Sequence, residues 1–341
     1  MALAGAKPRR PAAFRRNVID TSSPVAETSM LFRDFGHAPA QSWTPHPGSR
    51  GKTVVDVEFH SVGQGGGIDL SSAGGAHCVR GLGRGSHAMV AAGTPSLWCV
   101  LRGTVEVNDG ETSFRVPPRH FLALPAGTTV RAVGRPGADW AALALPPAAV
   151  ATALRAVALR RGPGPLLFPT VLPMDRALLR ALVAVLRQAD RDTRPTLDIL
   201  LGGVLLAARD AQAPLLPWVA RASGRSEGHR RQTVQRLLSA RNRILNAPFD
   251  DNDLDILAAA ARYSKSHFLR SFRDVFGCTP HELLIQARMD LAKDLIANSD
   301  LAISEIAASV GYESRFAFAR SFKKRVGQTA TRFRQDLLDA A

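Results

Sequence analysis

The sequence is poor in cysteine, which excludes several classes of protein. It has 3 cysteines in 341 residues, Cys78, Cys99 and Cys278, and they lie far apart. An odd number of widely separated cysteines argues against a disulfide framework or a zinc site, and it fits a reducing compartment. No neighbouring residue gives Cys78 or Cys99 the lowered thiol pKa of a redox sensor, so we interpret both as small buried residues.

Long uncharged apolar runs are also absent. A membrane-spanning helix needs roughly 18 such residues, and the longest candidate, residues 141–154, is interrupted by Pro146 and Pro147. The N-terminal sequence MALAGAKPRRPAAFRRN has too short an apolar stretch, and charges that come too early, for a secretory signal. We therefore exclude a membrane channel or transporter and expect a cytoplasmic protein with no membrane partner.

Positive charge, in contrast, is in excess. The chain has 44 Lys and Arg against 29 Asp and Glu, a net charge of +15, which suggests a polyanionic partner. Residues 1–52, 53–228 and 229–341 each carry an excess of five positive charges. The total charge does not locate a nucleic-acid site, and a general arginine bias explains it equally well. The site has to be found from residue patterns.

The composition and the hydrophobic periodicity change along the chain, and these changes predict four segments. Residues 1–45 are rich in Pro, Ala, Ser and Arg without periodicity, which is typical of a disordered basic arm. Residues 46–147 contain short β-type runs separated by Gly and Pro, and predict a β-barrel or sandwich. Asn108-Asp109-Gly110 is a strong hairpin signal between two of these runs. Examples of these runs are Thr53–Phe59, Leu97–Leu101, Thr104–Val107, Phe121–Leu124, Thr129–Val133 and Trp140–Leu145.

The third segment, residues 148–228, has a helical pattern. Helices are predicted over residues 148–160, 174–189 and 197–209, and they are too apolar to be surrounded by water. We expect them to pack on the β-domain or on a second subunit, which makes this segment the candidate dimer contact of a homodimer. The polar stretch 220–228, ARASGRSEG, is the predicted linker to the fourth segment, residues 229–341.

The fourth segment contains an internal repeat, which is the most informative feature of the sequence. SKSHFLRSFRDVFGCTP at residues 264–280 and SRFAFARSFKKRVGQTA at residues 314–330 are identical at seven of 17 positions. Upstream, LAAAARY at residues 257–263 resembles IAASVGY at residues 306–312. Each copy therefore has an Ala-rich helix, a turn, and a second helix that begins after a Ser and ends near a Gly.

The second helix of each copy has an apolar face set by a pair of phenylalanines. Phe268 and Phe272, like Phe318 and Phe322, are spaced i and i+4, so each pair anchors one face inward. This plan is a helix-turn-helix, present twice. Between the copies, residues 279–282 (TPHE) form a capping box that begins a long helix to about residue 298. This spacer predicts that the two units enter successive major grooves of one DNA face, roughly 34 Å apart.

Residues from about 230 to 335 resemble the DNA-binding domain of AraC/XylS-type transcription regulators. The resemblance implies a cytoplasmic, bacterial-type, sequence-specific regulator. Phe316, Ala317 and Ala330 depart from the family's usual residues, which affects the expected base preference rather than the fold. The residues that carry the resemblance are Ala258, Ser264, Phe268, Phe272, Gly277, Thr279, Pro280, Arg288, Ala292, Ile303, Ile306, Ala307, Val310, Gly311, Tyr312, Phe318, Phe322, Gly327, Phe333 and Arg334.

The resemblance also implies which side chains face DNA. Arg donates bidentately to guanine, and Leu or Phe packs on a thymine methyl group. The alternative for the arginines is a solvated helix face, and for the basic run 323–325 that alternative is nearly as good. The residues implied in base reading are Ser266, Leu269, Arg270, Arg315, Phe316, Ala317 and Arg320. The candidates for phosphate contacts are Ser264, Lys265, His267, Arg273, Lys323, Lys324 and Arg325.

Residues 97–133 resemble, more weakly, the cupin-like sensor domain that many members of this family carry. Metal-binding cupins have a His-x-His pair and a later His, and this segment has neither, so we predict no metal site, no cofactor and no enzymatic activity. His60, His77, His87 and His120 are scattered along the sequence and are interpreted as surface or hydrogen-bonded residues. Alternation along the strands suggests an effector pocket lined by Trp98, Val100, Leu122, Leu124 and Trp140.

These observations predict an α+β chain of two domains. A cupin-like β-barrel with a helical dimerisation segment precedes an all-α double helix-turn-helix. The predicted partners are double-stranded DNA, a small-molecule effector, a second copy of the chain and the transcription machinery. The alternatives are a cupin-like enzyme with an accessory nucleic-acid-binding domain, and a non-catalytic interaction protein. The basic arm, with Arg9, Arg10, Arg15 and Arg16, is a candidate for a minor-groove contact.

Overall fold

A computed structural model describes residues 55–157, 168–188 and 197–339. The predicted arm at residues 1–45 lies outside these ranges, as do the first two residues of the predicted strand Thr53–Phe59 and the ends of the predicted helices 148–160 and 174–189. The described residues fall into two compact units, 55–288 and 289–339.

The first unit begins with eleven described strands arranged in two sheets. One sheet has the order β1-β3-β10-β5-β8-β11 and the other β2-β4-β9-β6-β7. The pairs β1/β3 and β2/β4 are parallel, and the other pairs are antiparallel. The strands are β1 (Val57–Val62), β2 (Gly67–Leu70), β3 (Ala76–Leu82), β4 (His87–Val90), β5 (Ser96–Arg102), β6 (Val105–Asn108), β7 (Ser113–Val116), β8 (His120–Leu124), β9 (Val130–Gly134), β10 (Asp139–Ala144) and β11 (Val171–Pro173).

The prediction of a β-domain is confirmed, but its strands form two sheets rather than one closed barrel. Alternate residues of each strand face a shared apolar core between the sheets, such as Val105 and Val107 of β6. The hairpin signal is also confirmed: the Asp109 carboxylate accepts hydrogen bonds from the backbone N–H groups of Glu111 and Thr112 at 3.0 and 2.7 Å. Gly110 has φ of 89°, which closes the turn between β6 and β7.

Three helices follow the β-domain: α1 (Pro147–Ala156), α2 (Arg176–Leu186) and α3 (Leu197–Ala211). Their apolar faces meet, because α3 packs against both α1 and α2 and buries Leu201, Val204 and Leu205. No single helix in the described part of the chain is long and apolar enough to cross a membrane. The helices at residues 197–211 and 213–221 are long and apolar enough only when taken together, and the pair is bent by 40°.

A second apolar core in the first unit is built by helices α4 (Leu216–Arg221), α5 (Glu227–Asn246), α6 (Leu254–Ala260) and α7 (Lys265–Phe276). Ser226 begins α5 by accepting a hydrogen bond from the backbone N–H of His229, within the predicted linker 220–228. Helix α8 (Pro280–Asn298) begins with the predicted capping box. Thr279 N–H donates to the Glu282 carboxylate at 2.8 Å, and Glu282 N–H donates back to the Thr279 hydroxyl at 3.2 Å.

The second unit contains the end of α8 and helices α9 (Ile303–Ser309), α10 (Arg315–Val326) and α11 (Ala330–Asp339). Its buried side chains include Ile306, Val310, Phe318 and Phe322. The Phe322 ring also packs edge-on against Phe333 of α11, with ring centroids 5.8 Å apart. These contacts bury the face of α10 that carries the phenylalanine pair and leave its other face in solvent.

Candidate nucleic-acid interface

Helices α6 and α7 form the first helix-turn-helix. Asp253 caps α6 by accepting a hydrogen bond from the backbone N–H of Ile256 at 2.8 Å. The turn is closed by a bond from Tyr263 N–H to the carbonyl of Ala258 at 3.0 Å. Phe268 and Phe272 are fully buried, with their rings 5.4 Å apart, so the predicted inward face of α7 is confirmed.

Helices α9 and α10 form the second helix-turn-helix with the same local bonds. Tyr312 N–H donates to the carbonyl of Ala307 at 3.0 Å, as Tyr263 does to Ala258. Phe318 and Phe322 are buried, with rings 5.6 Å apart. Tyr312 adds a hydrogen bond from its hydroxyl to the Ser321 Oγ at 2.9 Å. The sequence repeat is therefore a structural repeat.

The two copies differ at the serine that precedes the second helix. Ser314 accepts a hydrogen bond from the backbone N–H of Ala317 at 3.4 Å, so it caps α10 as predicted. Ser264 occupies the same position before α7, but its side chain makes no capping bond. The prediction of a serine cap is correct for the second copy and wrong for the first, where α7 begins without side-chain help.

The exposed face of α7 carries the residues implied in base reading. Ser266, Leu269 and Arg270 are all exposed, on the side of the helix away from the phenylalanine pair. Leu269 keeps 38% of its surface in solvent. An exposed Leu beside an exposed Arg offers an apolar contact and a bidentate donor on one helix face.

The candidate phosphate-binding residues on and beside α7 are exposed as well, but one of them already has an anionic partner. The Lys265 ammonium lies 2.7 Å from the Asp255 carboxylate, and this hydrogen bond raises the pKa of Lys265. The His267 ring packs edge-on against Tyr263, with centroids 4.5 Å apart. Arg273 is exposed in the last turn of α7. A DNA phosphate that binds the Lys265 ammonium would therefore have to displace the Asp255 carboxylate.

The exposed face of α10 carries more basic residues than that of α7, and its exposed apolar side chain, Phe316, is larger than Leu269. Phe316 has 66% of its surface in solvent, and the Arg315 guanidinium lies over its ring, 4.8 Å from the centroid. Arg320 is exposed, whereas Ala317 is only half-exposed. The last turn carries three exposed basic residues, Lys323, Lys324 and Arg325. Positive charge at a helix C-terminus also interacts favourably with the helix dipole, so the helix alone accounts for part of this run.

A cleft of about 390 Å³ in the first unit joins the β-domain to the first helix-turn-helix. Asp109 and Glu111 of the β6–β7 hairpin line one part of it. Arg236 of α5 and Arg262 of the turn before α7 line another. No sequence pattern indicates this cleft, because it depends on packing between segments more than 100 residues apart.

The five residues predicted to line an effector pocket lie in the core between the two sheets. None is more than 3% exposed, and the rings of Trp98 and Trp140 are 5.8 Å apart. Their buried indole N–H groups donate to Ser96 and Ser86 at 2.9 and 3.0 Å. The residues are packed against one another, and their role in effector binding stays a prediction.

The cysteines of the β-domain fit the interpretation as buried structural residues. Cys78 and Cys99 are each 1% exposed. Burial raises the pKa of the Cys78 thiol to about 12, and it raises the pKa of Cys99 further. A buried thiol with a raised pKa holds little thiolate at neutral pH, so neither has the character of a redox sensor.

The histidines are not all scattered, as the sequence suggested. His87 and His120 do lie apart, with Nδ1 near the backbone carbonyls of Gly85 and Pro118 at 3.1 and 2.9 Å. His60 and His77, however, lie together with Glu58. The 17-residue separation of these histidines carries no local signal, because only the pairing of β1 with β3 brings them close.

Known proteins resemble this chain in both of its parts. A model of the AraC-like ligand binding domain matches residues 92–206, and a model of a helix-turn-helix domain matches residues 257–336. The chain is 28% identical over 162 residues to the RCS-specific HTH-type transcriptional activator RclR of Escherichia coli (strain K12), a match covering 46% of this chain and 55% of RclR. It is 35% identical over 83 residues to the probable transcription factor PqrA of Proteus vulgaris, covering 24% of this chain and 68% of PqrA.

A solved structure is similar over the C-terminal part. The DNA-binding domain of AdpA, the global transcriptional factor, in complex with a target DNA, is 29% identical and covers 29% of this chain and 90% of that chain, with a TM-score of 0.29. The chain spans about half of the length of RclR. The family matches and the repeated helix-turn-helix agree, and the chain belongs to the AraC family of transcription regulators, with an AraC-like ligand-binding domain and a helix-turn-helix domain.

Proposed function

We propose that this protein is a sequence-specific DNA-binding regulator in which α7 and α10 each read bases in a major groove. The observation that carries the proposal is the exposed face of each helix. Each places an Arg and a large apolar side chain in solvent on the side opposite a buried phenylalanine pair. Phe316 is 66% exposed, and its ring could pack on a thymine methyl group in the major groove.

The phosphate contacts are proposed to come from the basic side chains that flank these faces. They are Lys265 and Arg273 on α7, and Lys323, Lys324 and Arg325 on α10, with Ser264 and His267 at the start of α7. Such contacts give a binding constant that falls steeply with salt concentration.

We propose that the β-domain regulates this binding in response to a small-molecule effector, without catalysing a reaction. The cleft that joins the β6–β7 hairpin to Arg236 and Arg262 supports this proposal, because a shift of the hairpin changes one wall of a space whose other wall includes the first helix-turn-helix. The apolar helices of residues 148–228 are the proposed contact in a homodimer, and the transcription machinery in the cytoplasm is the proposed final partner.

Selection of binding sites from random duplex DNA by the full chain tests the proposal. We expect enrichment of two short blocks, one helical turn apart, with Arg270→Ala weakening selection in one block and Arg320→Ala in the other. Enrichment of a single block would restrict base reading to one helix. Failure of residues 229–341 and of the full chain to enrich any sequence would contradict the proposal.

A further inference from the structure

Three side chains on neighbouring strands of the β-domain meet at one edge of the six-stranded sheet. In the parallel pairing of β1 with β3, Glu58 lies opposite His77, and His60 lies opposite Val79. Because side chains alternate along a strand, Glu58, His60 and His77 are on the same face as Val62 and Val79, which belong to the core between the sheets. The cluster therefore lies on the inner face of the sheet.

The distances within this cluster match those between the ligands of one metal ion. His60 Nε2 lies 3.2 Å from His77 Nδ1, and the Glu58 Oε2 lies 3.8 Å and 3.6 Å from these two nitrogens. Zinc-to-ligand bonds of 2.0–2.2 Å in tetrahedral geometry put neighbouring ligand atoms about 3.3–3.6 Å apart. Small side-chain adjustments would bring all three atoms into one coordination sphere.

The cluster is not satisfied by its own hydrogen bonds. Two neutral imidazoles that face each other share only one proton, and the carboxylate oxygen is beyond hydrogen-bond range of both ring nitrogens. His77 Nε2 is buried and has no hydrogen-bond partner. A neutral imidazole keeps one ring nitrogen with a free lone pair, which is the form of histidine that binds a metal ion.

Exposure provides a path to the cluster. The Glu58 side chain is 63% exposed, that of His60 20%, and that of His77 4%. An ion from solvent would first contact the exposed Glu58 carboxylate and would then bind the buried His77 imidazole as well. Three protein ligands leave the fourth tetrahedral position open to water or to another ligand.

We propose that Glu58, His60 and His77 bind one divalent transition-metal ion of the zinc class. Two imidazoles and one carboxylate favour such an ion over Mg²⁺ or Ca²⁺, which select sites built from oxygen ligands. The site lies in the β-domain, and its occupancy does not depend on whether the chain binds DNA. The sequence pattern predicted no metal there, because the ligands do not follow the His-x-His spacing.

Metal titration of the full chain, purified without a polyhistidine tag and stripped with a chelator, tests the proposal. Every protein would carry Cys278→Ser, since a half-exposed free thiol can bind added metal independently of the proposed site. Calorimetry with Zn²⁺ and the absorption spectrum with Co²⁺ would report stoichiometry and ligand type. We expect one equivalent to bind, with Mg²⁺ unable to displace it.

Two variants and one control decide whether these residues are the ligands. Glu58→Gln and His60→Gln keep similar volume at exposed or half-buried positions, and we expect each to weaken affinity at least about tenfold. His120→Gln removes a half-buried histidine elsewhere on the β-domain and should change nothing. Circular dichroism and thermal unfolding would verify that all variants fold. Absence of binding, or equal binding by Glu58→Gln, His60→Gln and His120→Gln, would overturn the proposal and leave the cluster as a hydrogen-bonded histidine pair.

Discussion

Arg262 and Gly311 occupy the same position in the turns of the two helix-turn-helix units, and both have a left-handed backbone. Their φ angles are 56° and 88°. Their N–H groups donate to equivalent carbonyls, Ala259 at 2.9 Å and Ala308 at 3.1 Å. The turn therefore requires positive φ whichever residue is present, and Arg262 has it despite the steric cost of its Cβ. The Arg262 side chain lines the cleft toward the β-domain, a role that glycine does not supply.

Substitutions in these two turns should affect stability to different extents. Gly311→Ala adds a Cβ to a left-handed residue, and we expect it to lower the free energy of unfolding by about 1–2 kcal/mol. Arg262→Gly removes that strain but makes the unfolded chain more flexible, so we expect a change within about 1 kcal/mol. Urea unfolding measures the change in the free energy of unfolding for each variant.

Gly203→Ala is the matched control for Gly311→Ala. Gly203 lies within α3, has no atoms near the position of an added Cβ, and does not have positive φ. Alanine there should be neutral or stabilise by up to about 1 kcal/mol. A loss of stability in Gly311→Ala no larger than that in Gly203→Ala would contradict the requirement for a left-handed turn.

Two phenylalanines on α10 should separate stability from DNA binding. Phe322 is fully buried, so Phe322→Ala should cost about 3–5 kcal/mol of stability. Phe316 is 66% exposed, so Phe316→Ala should change stability by less than about 0.5 kcal/mol. We expect Phe316→Ala nevertheless to weaken binding to a selected DNA site several-fold, measured by fluorescence anisotropy. Unchanged affinity would show that Phe316 does not contact DNA.

Arg270→Ala and Arg320→Ala should each cost about 1–3 kcal/mol of DNA-binding free energy and relax preference at particular base pairs. Binding to a panel of single-base variants of the selected site measures this. Arg155→Ala, at an exposed position on α1, is the control and should leave affinity unchanged. Equal weakening on every DNA sequence would show that these arginines contact only phosphates.

Asp255 should restrain the contribution of Lys265 to DNA binding, because the two side chains form an ion pair at 2.7 Å. Asp255→Asn releases the ammonium, so we expect higher affinity and a salt dependence steeper by about one charge. In a Lys265→Ala background, Asp255→Asn should have no such effect on the salt dependence. The same gain in both backgrounds would attribute the effect to the net charge alone.

Local signals predicted the helical part of the chain well. The i, i+4 phenylalanine pairs, the Thr279–Glu282 capping box and the terminal glycines Gly277 and Gly327, with φ of 77° and 88°, all depend on residues within one or two turns of each other. These features are local in sequence, so they can be predicted without knowledge of the tertiary structure. The duplication strengthened the prediction, because two copies with the same pattern specify the same motif.

Predictions in the β-domain were less complete. The predicted strand Thr53–Phe59 corresponds to Val57–Val62, and the other predicted runs match β5, β6, β8, β9 and β10 to within a residue or two. The runs named from the sequence do not include β2, β3, β4, β7 or β11, although the hairpin signal at residues 108–110 did imply a strand where β7 lies. These strands are short, or they contain Gly and His as β3 does, so their apolar alternation is weak and only pairing with neighbouring strands makes them extended.

The sequence by itself determined the helix-turn-helix repeat, its buried phenylalanines and the exposed faces of α7 and α10, because these depend on helical periodicity and on capping. Tertiary structure decided which distant groups meet. The parallel register of β1 and β3 places Glu58 beside His77 and brings His60 next to it. Packing of the hairpin near α5 forms the cleft that contains Arg262. Strand register and packing between segments are set by the whole core, so no local pattern at these residues encodes them.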